Sequence, residues 1–67
     1  MNIKLNGKVI QLPDYIATIQ DLLLNYQLEN RIVVVELNKQ IIYKEQYAFT
    51  VLSNEDSVEL IHFVGGG

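Results

Sequence analysis

The residues of this chain that could do chemistry are concentrated at its C-terminal end. The sequence closes with Gly65-Gly66-Gly67, so the last α-carboxylate follows three residues that have no side chain. Such residues pass through a narrow channel and accept any backbone conformation that a partner imposes. A carboxylate becomes a good acyl donor only after activation, so this end is suited to entering the site of a second protein. The alternative is a frayed terminus without a role.

Other candidate groups point away from catalysis by the chain itself. It contains no cysteine and a single histidine, His62, which has no partner of matching type for a metal. Glu55 and Asp56 are neighbours in a polar turn, and acid–base work by paired carboxylates needs a defined cleft. We therefore predict no metal site, no bound cofactor and no catalytic pocket.

Composition limits the partners. The 67 residues suffice for one domain, and 49% of them are hydrophobic. The net charge is −3, and the five basic residues are scattered, whereas nucleic-acid binding needs a basic stripe. The apolar runs are too short for a membrane span, and the first twelve residues alternate polar and apolar, unlike a signal peptide. We expect a cytoplasmic protein with protein partners, and neither nucleic acid nor membrane.

The first two strands can be predicted in register. Asn6-Gly7 is typical of a type I′ hairpin turn, which needs positive φ at both central residues. The turn would pair Leu5 with Lys8 and Ile3 with Ile10. One face would then carry the apolar side chains Ile3, Leu5, Ile10 and Leu12. The opposite face would carry Lys4, Val9 and Gln11.

A short helix is predicted to start near Thr18, which can cap it, with Asp21 in its first turn. The helix would fray within residues 25–30. Its apolar stripe would consist of Ile19, Leu22, Leu23 and Tyr26.

The second half predicts three more strands. The β-branched run 32–35, followed by Glu36-Leu37, indicates a central strand covered on much of both faces. A turn at 38–39 would lead into a returning strand at 40–43. We expect a helical turn or loop at 44–48, with Tyr47 and Phe49 packed inward. A polar turn at 53–56 would precede the last strand, 57–64.

This order of elements indicates an α+β fold: a mixed β-sheet with one main helix packed on one face, which is the β-grasp (ubiquitin-like) arrangement. We expect the domain to span residues 1–64, with residues 65–67 forming a flexible C-terminal tail.

The last strand would present an apolar surface beside the tail. Glu59 should face water, which places Ile61 and Phe63 on the outer face. Val58, Leu60 and His62 would then face the helix, unless a bulge near His62 reverses the alternation. Exposed apolar side chains next to the tail are typical of an interface. The alternative is that Ile61 and Phe63 belong to the core.

The length, the Asn6-Gly7 hairpin and the closing His62-Phe63-Val64-Gly65-Gly66-Gly67 resemble the ThiS family, the sulfur carrier proteins of thiamine biosynthesis. The resemblance covers the whole chain, and the ending is its most specific part. Only Gly66 and Gly67 correspond to the di-glycine signature, so Gly65 lengthens the tail.

The resemblance implies a role as a protein cosubstrate and not as an enzyme. In this family an adenylating enzyme uses ATP to activate the C-terminal carboxylate. A sulfur donor system converts it to a thiocarboxylate, and thiazole synthase takes the sulfur. Carried over, the reacting group is the carboxylate of Gly67. The partner-binding residues would be Gly65, Gly66, Ile61, Phe63 and Val64.

Three alternatives remain open at this point. The small subunit of molybdopterin synthase has the same fold, tail and sulfur chemistry, but is usually somewhat longer. A ubiquitin-like protein modifier would instead join Gly67 to a lysine of another protein. A plain β-grasp interaction domain would carry the glycines without using them.

Overall fold

The computed structural model describes residues 1–62, and its elements follow the predicted order. Residues 63–64 of the predicted last strand and the predicted tail at 65–67 lie outside the described residues. The elements are β1 Asn2–Leu5, β2 Lys8–Gln11, α1 Ile19–Asn25, β3 Val33–Leu37, β4 Gln40–Ile42, a 3₁₀ helix at Lys44–Phe49, and β5 Ser57–His62.

The first hairpin has the predicted turn and register. Asn6 and Gly7 have φ values of 50° and 85°, as a type I′ turn requires. Leu5 pairs with Lys8, and Ile3 with Ile10. The predicted division into two faces is confirmed, because Ile3 is buried while the opposite face is exposed.

The strands form one mixed five-stranded sheet in the order β2-β1-β5-β3-β4. β1 and β5 run parallel, and the other neighbours run antiparallel. This confirms the predicted fold class and gives the middle position to β5. The predicted central strand at 32–37 is β3, which has a neighbouring strand on each side. It begins one residue later than predicted, because Ile32 precedes it with 76% of its surface exposed.

Helix α1 begins where the sequence predicts. The N–H of Asp21 donates to the Thr18 hydroxyl oxygen at 3.1 Å. In return, the Asp21 carboxylate accepts from the N–H groups of Ala17 at 2.9 Å and Thr18 at 3.1 Å. These bonds satisfy donors that the first turn leaves without helical partners. The Ala17 N–H, followed by the Thr18 N–H, holds the pKa of Asp21 below its ordinary value of 3.8.

The helix is shorter than its predicted apolar stripe. It ends at Asn25, and Gln27 takes a φ of 59°, which turns the chain away. Tyr26 therefore lies at the rim with 43% of its surface exposed, and its predicted place in the buried stripe is wrong. Ile19, Leu22 and Leu23 are buried as predicted. Within residues 1–62, no helix is both long and apolar enough to cross a membrane.

The core lies between α1 and one face of the sheet. Its buried members are Ile3, Leu12, Ile16, Ile19, Leu22, Leu23, Val35, Leu52, Val58 and Leu60. Tyr47 packs against this cluster from the 3₁₀ helix, as predicted. Burial, and secondarily the charge of Glu45, raises the pKa of the Tyr47 phenol.

The inward packing predicted for Phe49 is wrong, because 81% of this residue is exposed. A 3₁₀ helix has about three residues per turn, so side chains two positions apart point in different directions. With Tyr47 turned inward, Phe49 at the end of the same helix points outward. Leu52 enters the core shortly afterwards, with 3% of its surface exposed.

Candidate docking surface beside the C-terminal segment

Strand β5 leads directly into the C-terminal segment, which we define as residues 63–67. Its five register pairs with β3 run without interruption from Val58, opposite Leu37, to His62, opposite Val33. No bulge interrupts this pairing. Val58 and Leu60 are buried, whereas Glu59 and Ile61 are exposed. The predicted alternation therefore holds, and Ile61 lies on the outer face, away from α1.

His62 departs from its predicted environment. It follows the alternation that buries Val58 and Leu60, yet it is exposed. The reason is its position, because it pairs with Val33, the first residue of β3, at the end of the sheet. Within residues 1–62, no three His, Cys, Asp or Glu side chains are grouped so that they could hold a metal ion.

Ile61 lies within a wider apolar surface. Val34 is its direct cross-strand partner on β3. Ile41 of β4 is opposite Glu36, which is opposite Glu59 on β5, so Ile41 lies on the same outer face. Ile61 and Ile41 are 47% and 51% exposed. We call Val34, Ile41 and Ile61 the outer patch. The sequence prediction missed Val34 and Ile41, because only the strand pairing brings them beside Ile61.

Two carboxylates lie within the same face. Glu36 and Glu59 are direct cross-strand partners, and like charges in this position repel one another. Glu36 is opposite Ile41, and Glu59 is two residues before Ile61 on the same face. The surface therefore combines apolar side chains with negative charge. Its complement is a protein surface that offers apolar contacts together with Lys or Arg side chains.

A side-chain amide holds β5 close to the C-terminal segment. The Leu60 N–H donates to Asn6 Oδ1 at 2.8 Å, and Asn6 Nδ2 donates to the Leu60 carbonyl oxygen at 3.2 Å. The sequence indicated only a turn-forming role for Asn6. The contact joins residues 54 positions apart in the chain, so no local sequence signal could have indicated it.

The remaining predicted site residues lie outside the described residues. These are Phe63, Val64, Gly65, Gly66 and Gly67. Their roles in partner binding and in carrying the reacting carboxylate stay predictions.

Two solved structures from Geobacter metallireducens are similar to this fold. The crystal structure of the thiamine biosynthesis protein ThiS from Geobacter metallireducens matches with a TM-score of 0.82 and 30% identity, covering all of both chains. The solution structure of a thiamine biosynthesis protein from the same organism matches with a TM-score of 0.82, covering this whole chain and 88% of that one.

Curated relatives give closer sequence matches. The chain is 54% identical over 65 residues to the sulfur carrier protein ThiS of Bacillus subtilis, covering 97% of this chain and 98% of that protein. It is also 34% identical over 67 residues to the thiazole synthase of Magnetococcus marinus. That match includes all of this chain but only 20% of the length of the synthase.

The ThiS family model matches residues 2–67. The match spans the hairpin, the helix, the outer patch and the C-terminal glycines. Together with the identity to the Bacillus subtilis protein over nearly the full length of both chains, it shows that this chain belongs to the ThiS family.

Proposed function

We propose that this chain is a sulfur carrier for thiazole formation in thiamine biosynthesis, and that the α-carboxylate of Gly67 is the group that carries the sulfur. The observation that supports this most strongly is the 54% identity to the Bacillus subtilis carrier. The family match also extends through Gly67. In this role the chain is a protein cosubstrate, and the catalysis is done by its partners.

The proposed chemistry consists of two steps, and both take place at the carboxylate of Gly67. A carboxylate oxygen of Gly67 first attacks the α-phosphorus of ATP in an adenylating enzyme and releases pyrophosphate. A sulfur nucleophile at the oxidation level of sulfide, supplied by a donor system, then displaces AMP from the carbonyl carbon. The product is a thiocarboxylate. ATP is a substrate of the adenylating enzyme, so the carrier itself needs no cofactor.

The geometry of the described residues suits this division of labour. Gly67 is five residues beyond His62, and a segment of that length spans at most roughly 17 Å. The partner's reactive site must therefore lie within that reach of the end of β5. Glycines lose conformational entropy when they are ordered in such a site. The outer patch beside β5 would supply compensating binding energy.

Two enzymes are the proposed partners, and we expect the carrier and both enzymes to lie in the cytoplasm. The adenylating enzyme activates the carboxylate, and thiazole synthase receives the sulfur. The second partner has specific support. The Magnetococcus marinus thiazole synthase contains a region similar to the whole of this chain within its own sequence. A carrier-like region and a synthase in one polypeptide are expected to act together.

The reacting group can be tested by blocking it without changing the chain. We expect a chain whose Gly67 carboxylate is converted to a carboxamide to support no ATP–pyrophosphate exchange by the adenylating enzyme, because an amide cannot form the acyl adenylate. A chain lacking one glycine provides the converse comparison, because it keeps a free carboxylate after Gly-Gly but has a shorter tail. Exchange with the amidated chain at the rate of the unmodified chain would place the reacting group elsewhere and refute the proposal.

A further inference from the structure

Two asparagines occupy equivalent positions in the two hairpins of the sheet. Asn6 lies in the turn between β1 and β2, and Asn38 lies in the turn between β3 and β4. Their φ values are 50° and 51°, in the left-handed region that asparagine tolerates better than most residues. Both side-chain amides reach the backbone of β5. The middle strand β5 is thus bonded by one asparagine from each of the two hairpins that flank it.

Asn38 holds the beginning of β5. The Ser57 N–H donates to Asn38 Oδ1 at 2.9 Å, and the Asn38 N–H donates to the Ser57 carbonyl oxygen at 2.7 Å. Asn38 Nδ2 also donates to the Asp56 carboxylate at 3.0 Å. This contact lies at the end of β5 that is farther from the C-terminal segment.

Asn6 holds the other end. The last register pair between β1 and β5 is Leu5 with Val58, and the Asn6 N–H donates to the Val58 carbonyl oxygen at 2.9 Å. The Asn6 side chain then bonds both the N–H and the carbonyl oxygen of Leu60. The Asn6 amide thus makes the hydrogen bonds to Leu60 that a further residue of β1 would make in a longer strand. Hydrogen bonding between β5 and the first hairpin therefore continues past Val58 toward His62.

We propose that Asn6 is a positioning residue for the charging reaction, because its bonds to Leu60 hold the end of β5, from which the C-terminal segment continues. This inference rests on the proposed function. Leu60 is two residues before His62, the last described residue of β5, so a shift of β5 at Leu60 moves the point from which the C-terminal segment continues. Holding reacting groups in position is a large part of enzymatic rate enhancement. Asn6 therefore raises the fraction of docked carriers whose carboxylate enters the adenylating site.

The alternative is that Asn6 only stabilises the fold, and Asn38 provides the matched control. It occupies the same kind of turn and bonds the same strand at the opposite end. Replacing either residue with glycine retains the positive φ that the turn needs and removes the side-chain amide. N6G and N38G therefore make the same chemical change, but only N6G removes a contact at the end of β5 that leads to Gly67, where β5 then keeps only its pairing with β3.

The experiment measures kcat and KM for each carrier in ATP-dependent adenylation by the purified adenylating enzyme, at a temperature where circular dichroism shows the carriers to be folded. We expect N6G to lower kcat by about tenfold with little change in KM, because the outer patch that docks the carrier is intact. N38G should leave both constants close to those of the unsubstituted chain. Amide hydrogen exchange at Leu60 should be accelerated in N6G and not in N38G.

The outcomes separate this inference from the proposed function. If the unsubstituted chain is not adenylated, the proposed function fails. If it is adenylated and N6G behaves like N38G, the positioning role of Asn6 is overturned while the proposed function stands. Should N6G be unfolded, N6D replaces it, since Asp keeps the acceptor for the Leu60 N–H and loses the donor to the carbonyl. A kcat for N6D equal to that of the unsubstituted chain would then overturn the inference.

Discussion

Among single residues, Ile61 connects the fold to the proposed interface most directly. One exposed apolar side chain is ordinary on a protein surface. Ile61, however, lies on the strand that leads to the C-terminal segment, opposite Val34, with Ile41 on the same face. The alternation of β5 allowed the outward position of Ile61 to be predicted from sequence. The identity of its neighbours could not be predicted, because strand order depends on the whole fold.

Replacing Ile61 with Asp should weaken docking without unfolding the protein. The side chain is half exposed, so we expect a loss of about 1 kcal/mol or less in the free energy of unfolding. The affinity for the adenylating enzyme should fall by at least about tenfold, because a charge would replace a central apolar contact. Isothermal titration calorimetry measures the affinity, and urea unfolding measures the stability.

Val9→Asp is the matched control for Ile61→Asp. Val9 is 68% exposed on the same face, but it lies on the edge strand β2, roughly 15 Å from Ile61 by strand geometry. V9D should bind the enzyme as the unsubstituted chain does. Equal losses of affinity in V9D and I61D would show that added negative charge, and not the outer patch, controls docking.

Among the elements, the helix shows what local sequence can and cannot predict. Thr18 and Asp21 are close in sequence, so their capping bonds could be predicted and are confirmed. The exposed position of Tyr26 could not be predicted, because the helix ends one residue earlier and Gln27 turns the chain. The exposure of Phe49 could not be predicted either. Which side of the 3₁₀ helix faces the core depends on which of its residues contacts the core, and that residue is Tyr47.

Acid should reveal the cap formed by Asp21. Its folded-state pKa is lowered by the N–H groups of Ala17 and Thr18. A lowered pKa means that folding favours the ionised form of Asp21. The stability that the ionised carboxylate contributes is therefore complete above the ordinary pKa of 3.8, and it is lost as pH falls through the lower pKa of the folded state. Asp21→Asn should therefore melt below the unsubstituted chain at pH 7, and this difference should shrink as pH falls through that range.

Thermal melting of both proteins across the acid range makes the comparison. Asp14→Asn, which changes an exposed carboxylate shortly before the helix, controls for the loss of one negative charge. A difference in Tm between D21N and the unsubstituted chain that is the same at every pH would contradict the assignment.

At the scale of the whole molecule, the order of elements was enough to predict a mixed sheet covered by one helix. The Asn6-Gly7 turn fixed one register, and hydrophobic periodicity placed the helix. The contacts that join distant segments could not be predicted. The two asparagine contacts with β5 and the Glu36–Glu59 pair arise only when β5 takes the middle of the sheet. These are the features that distinguish the outer patch and the end of β5 from the remaining surface.

The net charge of −3 is a property of the whole molecule that affects how fast it meets a partner. Complementary fields accelerate the encounter of two proteins, and salt weakens this effect. The Glu36–Glu59 pair places part of the negative charge within the outer patch itself. The proposed partner surface therefore combines apolar groups with basic side chains.

Whether Gly67 carries sulfur can be read from the intact mass of the chain after incubation with ATP, the adenylating enzyme and a sulfur donor. We expect a mass gain equal to the exchange of one oxygen for one sulfur. Fragmentation should locate the gain at Gly67, and it should be absent when ATP is omitted. An unchanged mass, in a mixture shown to charge the Bacillus subtilis carrier, would show that Gly67 does not carry sulfur.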